Sequence, residues 1–168
     1  VDLVDLAPQA LGRLLPAAAA QELQQRLADA GVNWHLDNAV AAVHQAGKAL
    51  SVELKDGSRV ETDIVLSAIG LRANTTMAKD AGLDTERGIK VDRYLQTSAQ
   101  VIYALGYCAL VDDLHLPFVM PLMNAARELA ATLCGDKTTV NYPAMPVVVK
   151  TPLYPIVVCP SPRPVDGS

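Results

Sequence analysis

Residues 97–135 read TSAQVIYALGYCALVDDLHLPFVMPLMNAARELAATLCG, and this stretch decides the fold. The apolar run 101–105 predicts a strand, and Gly106 a turn after it. Pro117 and Pro121 preset an extended approach, after which residues 122–133 predict a helix ending at Gly135. A strand, a glycine turn and a helix in that order belong to an α/β protein.

Working outward towards the N-terminus, residues 1–5 (VDLVD) alternate apolar and acidic side chains, the period of a strand with one covered face. Residues 17–30 (AAAAQELQQRLADA) are alanine-rich and amphipathic, with Leu23 and Leu27 four apart, and Gly31 stands where a helix C-cap prefers glycine. Residues 32–35 predict a second short strand. The β-α-β order implies a parallel pair with a helical crossover. Further on, Leu50, Val52 and Leu54 alternate, Asp56-Gly57 follows, and residues 59–61 return, which is a hairpin signal. The run Ile64-Val65-Leu66 is apolar and β-branched enough to predict a buried strand rejoining the parallel sheet. Near the C-terminus, residues 147–149 and 156–158 predict two more buried strands with prolines at their edges, and the tail from Pro160 is expected to be flexible.

Composition narrows the function classes. Half of the 168 residues are hydrophobic (51%) and 19% are charged, as in an ordinary globular protein. A net charge of -4 with no Lys/Arg stripe argues against a nucleic-acid partner. The longest apolar run, 101–111, is broken by Gly106 and falls short of the roughly 20 residues of a membrane span. No charged-then-apolar leader is seen, so the expected location is cytoplasmic. Cys108, Cys134 and Cys159 form neither a CxxC pair nor a metal-ligand cluster, and their odd number fits a reducing compartment. His35, His44 and His115 lie far apart with no serine or cysteine partner in view and read as structural or exposed groups. No conventional catalytic constellation or metal site emerges.

Several pieces, in the right order, carry a resemblance. Ser67-Ala68-Ile69-Gly70-Leu71-Arg72-Ala73-Asn74 is similar to a crossing peptide that leaves the NADH domain of two-dinucleotide flavoproteins. Residues 81–98, the strand 101–105 with Gly106, and the helix after Pro121 match the segment that returns to the flavin. The chain therefore resembles the FAD-dependent NAD(P)H oxidoreductases of the pyridine nucleotide-disulfide oxidoreductase family, and within it the rubredoxin reductases. The fold implied is a partial Rossmann-like FAD/NAD(P)-binding α/β fold with an antiparallel hairpin insert and the start of an α+β C-terminal domain. The implied domains are 1–68, the remainder of the NADH-binding domain; 69–137, the second segment of the FAD-binding domain; and 138–168, the beginning of the C-terminal domain with its tail.

The resemblance also implies site residues. Asp5, at the end of a Rossmann strand, would accept hydrogen bonds from adenosine ribose hydroxyls, and with Gln9 nearby favours NADH over NADPH. Gly70 belongs to the crossing peptide. Gly106 would let backbone approach the flavin's polar chain. Tyr107 stands where the family carries an aspartate for the ribitol hydroxyls, and reads either as a flavin contact or as a core aromatic after a strand. Pro121, Leu122 and Met123 open a helix whose N-terminus suits the anionic edge of a flavin ring, although an apolar helix of this pattern also reads simply as core. Lys150 reads as a solvated strand-end lysine or as a charge facing an acidic rubredoxin.

Glycines two apart are absent, so there is no GxGxxG fingerprint and no P-loop. The expectation is a C-terminal fragment lacking the N-terminal FAD segment and the fingerprint of the NADH domain, with possible self-association through an exposed sheet. Two functions follow. One is part of an FAD-dependent NADH oxidoreductase passing electrons to rubredoxin or a similar iron-containing carrier, inactive as an isolated piece. The other is a non-catalytic relic or assembly domain that retains the scaffold.

Overall fold

The computed structural model describes residues 1–159, which divide into two compact units, Val1–Ala68 with Pro146–Val158, and Ile69–Met145 with Cys159. In the first unit the alternating start becomes β1 (Asp2–Val4), and the alanine-rich stretch becomes α1 (Ala17–Asp29). The chain then returns as β2 (Asn33–His35), paired parallel to β1 with Leu3 opposite Trp34. Ala20 and Leu23, three apart and so on one face of α1, are buried with Ala10 and Leu15. Trp34 packs on this cluster and its indole N–H donates to the Gln24 carbonyl at 3.1 Å, tying the second strand to the helix.

The hairpin signal is realised within a three-stranded antiparallel sheet, β3 (Val40–Ala46), β4 (Ala49–Leu54) and β5 (Arg59–Thr62), in that spatial order. Asp56 closes the β4–β5 turn by accepting the Ser58 N–H at 2.9 Å. Alternate residues Val52 and Leu54 of β4 are buried, as period 2 requires.

The second unit begins with the five-residue helix α2 (Thr76–Asp80) and the strand β6 (Ile89–Val91). Its partner, parallel to it, is β7 (Ala109–Val111), and the helix α3 (Val119–Leu133) follows. Val91, Leu95, Ala109, Val111, Ala125, Leu129 and Val140 form the core between strands and helix. The chain then returns to the first unit as β8 (Val147–Val149) and β9 (Ile156–Val158), an antiparallel pair whose Ile156 and Val158, with Tyr154, pack on the α1 cluster within that unit.

Four expectations need correction. Ile64, Val65 and Leu66 form no strand and are 80%, 40% and 86% exposed, because β1 and β2 make a two-stranded sheet with no third strand beside it among the described residues. The strand expected at 101–105 lies instead after the glycine, as β7. Residues 101–105 form no strand beyond a single bridge from Tyr103 to Gln96, while the Ala109–Val111 strand is buried throughout. The helix expected from Leu122 starts at Val119, since Pro121 falls in the first turn, where no intrahelical N–H is needed. Finally, β8 and β9 are not buried strands, because Val148 and Val157 on their outer face are largely exposed. The expectation for the tail from Pro160 falls outside the described residues.

Candidate functional site

In the second unit the chain turns at Gly106 with φ +90°, a conformation that disfavours side chains, and the Ala109 N–H closes the turn on the Gly106 carbonyl at 3.1 Å. A Cβ placed on Gly106 would stand 3.2 Å from Leu122 Cδ1, so bare backbone meets the first turn of α3. The strand that carries this turn is seated by a second close approach. A Cβ on the buried Gly88 would lie 2.9 Å from the Cys108 carbonyl oxygen, which accepts the Ile89 N–H at 2.7 Å.

Helix α3 begins at an extended Phe118 with no side-chain cap, leaving the positive end of its dipole to other acceptors. Pro121 is buried in that first turn, whereas Phe118, Val119, Met120 and Met123 are exposed. Gly106, Pro121 and Leu122 thus converge, together with Val111, Leu116 and Tyr142, around a cavity of about 10 Å³. That is room for about one water molecule. A planar ring does not fit inside it. Partial burial pushes the Tyr142 phenol up from its ordinary pKa.

Tyr107 points away from core status: its side chain is substantially exposed. Its carbonyl oxygen is 2.9 Å from His115 Nε2, which donates to it because a carbonyl only accepts. The turn and the helix start therefore fit a flavin, with a bare backbone cradle and an uncapped dipole. Position 107 offers a phenol where a carboxylate would accept two hydroxyls.

The remaining residues singled out from sequence are not brought to this place. Asp5 belongs to the first unit, one residue after β1, where it is exposed and its Oδ1 accepts the Ala7 N–H at 3.0 Å. Gly70 lies exposed at φ +86° with no atom within 4 Å of a Cβ added there. Lys150 is exposed beside Val149, Thr151, Pro152 and Pro155. Near Asp5, the His35 ring stands 2.9 Å from Asp2 Oδ1. That hydrogen bond, offset in part by burial and aided by Asn33, holds the Asp2 carboxyl below its ordinary value.

Tyr142 is not singled out from the sequence, and His115 reads there as a structural or exposed group. Nothing in their spacing marks them, because they join Gly106 only through the turn after β7 and the chain beyond α3. Among the described residues no group of three or more His, Cys, Asp or Glu is placed to hold a metal ion. None of the described helices is long and apolar enough to cross a membrane.

Comparison with known proteins places this arrangement. The family model "Pyridine nucleotide-disulphide oxidoreductase" matches residues 1–130, and "Rubredoxin binding C-terminal domain" matches residues 139–168. The chain is 50% identical to a rubredoxin-NAD(+) reductase of Alcanivorax borkumensis over 100% of its own length and 44% of that protein. It is 47% identical to a nitric oxide reductase FlRd-NAD(+) reductase of Aeromonas salmonicida, over 93% of this chain and 40% of the relative. Among solved structures, a ferredoxin reductase from Rhodopseudomonas palustris superposes with a TM-score of 0.79 at 31% identity, over 87% of this chain and 38% of that one. The chain spans less than half the length of these relatives, and its α/β fold is the one expected from sequence. With one family model covering the turn at Gly106, the start of α3 and everything before them, the chain belongs to the pyridine nucleotide-disulphide oxidoreductase family.

Proposed function

We propose that this chain is part of an FAD-dependent NADH oxidoreductase that passes electrons from NADH through flavin to rubredoxin or a similar iron-containing carrier. The observation that carries the reading is the convergence of Gly106, Pro121 and Leu122 at the uncapped start of α3, inside the family match and directly upstream of a segment matched by a rubredoxin-binding domain. Bound FAD would supply the redox chemistry, taking a hydride's two electrons and releasing them singly. The chain's residues hold and orient. Gly106 gives close backbone approach, the α3 dipole favours negative charge on the ring edge facing it, and Met123 offers exposed apolar surface. Asp5 would accept the adenosine ribose hydroxyls of NADH through the carboxylate oxygen that Ala7 does not engage. Gly70 would serve the crossing between the two nucleotide domains, and Lys150 would face an acidic carrier.

The proposed domains are 1–68 as NADH-binding, 69–137 as flavin-binding and 138–168 as the start of the carrier-binding domain. The division of compact units at Ala68/Ile69 supports the first boundary. A cytoplasmic setting belongs to the proposal, since its donor is NADH and its three cysteines are free thiols.

A second reading, a non-catalytic scaffold, is favoured by Tyr107 in place of the ribitol-binding carboxylate. Titrating the chain with FAD by fluorescence quenching, and with oxidised rubredoxin by calorimetry, separates the two. Binding of both supports the oxidoreductase. Rubredoxin binding without flavin binding favours the scaffold, and binding of neither overturns the proposal.

A further inference from the structure

Between β7 and α3 the chain passes through two successive non-glycine residues in the left-handed region, Asp112 at φ 48° and Asp113 at φ 64°. Such residues relax unless their surroundings hold them. The holding groups here come from both flanks of β6. Arg87 Nη2 donates to the Asp113 carbonyl at 2.7 Å, and Arg93 Nε lies 3.5 Å from Asp112 Oδ2. The backbone contributes the Asp112 N–H to the Val91 carbonyl at 3.2 Å, and Val111 and Leu114 exchange N–H bonds in both directions, at 3.0 and 2.8 Å.

From this corner the chain reaches three features of the candidate site. Leu114 and Leu116 line the small cavity beside Gly106, Pro121 and Leu122. His115, between them, donates back to the Tyr107 carbonyl, one residue from Gly106. Two residues after Pro117, α3 begins. The corner is thus tied to the glycine turn at one end and leads into the helix start at the other.

We propose that Arg87 and His115 are positioning residues for this site: Arg87 pins the left-handed corner, and His115 ties it to the Tyr107 carbonyl, so that the Gly106 turn and the first turn of α3 keep a fixed separation. The proposal rests on the reading of that surface as the flavin-facing one. Both side chains act through the backbone carbonyls they hold. A bond from a charged guanidinium to a carbonyl in a strained corner is worth more than an ordinary surface contact.

The test is amide hydrogen exchange on the whole chain, comparing wild type with Arg87→Met, His115→Phe and His115→Gln, the last keeping an N–H donor. Losing either tether should speed exchange about tenfold at the Ala109 and Leu122 amides, whose N–H groups close the Gly106 turn and the first turn of α3, the equivalent of one hydrogen bond to a charged or strained partner. His115→Gln should stay near wild type, and α1, in the other unit, should be unaffected. Unchanged exchange in Arg87→Met and His115→Phe overturns the proposal, as does equal acceleration in α1 or a His115→Gln variant as fast as His115→Phe. Adding FAD to the wild type separates the two readings: absence of fluorescence quenching overturns the flavin assignment of the surface, while the exchange pattern still decides whether Arg87 and His115 hold it in place.

Discussion

Leu122 Cδ1 lies 3.2 Å from the point where a side chain on Gly106 would begin. A Cβ at position 106 would therefore press on the Leu122 side chain, and the positive φ at Gly106 adds a backbone reason for glycine to the steric one. Gly106→Ala should lower stability by about 1–2 kcal/mol from the left-handed backbone alone. Urea denaturation followed by circular dichroism measures it. An unchanged midpoint would mean that the turn relaxes freely and does not hold α3.

Tyr107 is exposed and uncharged beside that turn. Replacing it with the carboxylate that the family resemblance calls for should strengthen flavin binding. Tyr107→Asp is expected to lower the FAD dissociation constant about tenfold or more, the worth of one charge-assisted hydrogen bond. A fluorescence titration showing equal affinity in both proteins would remove position 107 as the determinant.

Asp2 supplies a pH dependence. Its carboxyl is held below the ordinary value of 3.8, first by the hydrogen bond to His35 and then by Asn33. A carboxylate whose folded pKa is depressed stabilises the fold above its unfolded pKa and loses that contribution as pH falls through the folded one. Asp2→Asn should therefore be less stable than wild type at about pH 6 and indistinguishable from it at about pH 2. Denaturant midpoints measured across that range check it, and parallel curves would show that the pair contributes nothing to linkage.

Ile156 lies 133 residues beyond Leu23 in sequence, yet packs on the same cluster with Ala10, Leu15 and Ala20. Ile156→Ala should destabilise the first unit by about 1–3 kcal/mol, as a partly buried aliphatic truncation does. Trp34, the one tryptophan of the chain, reports on that cluster directly by fluorescence. A melt identical to wild type would mean that β9 is not part of this core.

Local signals were readable wherever the local chain settles the outcome. The β4–β5 hairpin follows from alternation around Asp56-Gly57, because period 2 and a tight turn act within a dozen residues. Helix α1 follows from its alanine content and the spacing of Leu23 and Leu27. The readings that failed were those needing a distant partner. Ile64-Val65-Leu66 has the composition of a buried strand, but no neighbouring strand pairs with it. Residues 101–105 are as apolar as β7, yet β6 pairs with 109–111, and the close passage of the Cys108 carbonyl over Gly88 sets that register. Gly106, Pro121 and Leu122, expected from the family resemblance, meet around one small cavity, whereas Tyr142 and the His115 contact join them only through the tertiary fold.

The amino-acid sequence by itself determined helix α1, the β4–β5 hairpin, the family pattern and the glycine at the α3 contact, because propensity, periodicity and backbone freedom reside in a few consecutive residues. Tertiary structure decided which apolar run became the strand beside β6, how far α3 extends towards the Gly106 turn, and that a left-handed corner pinned by Arg87 and His115 lies between them. Those outcomes depend on hydrogen bonds and close approaches between residues far apart in the chain, whose free energy no local stretch contains.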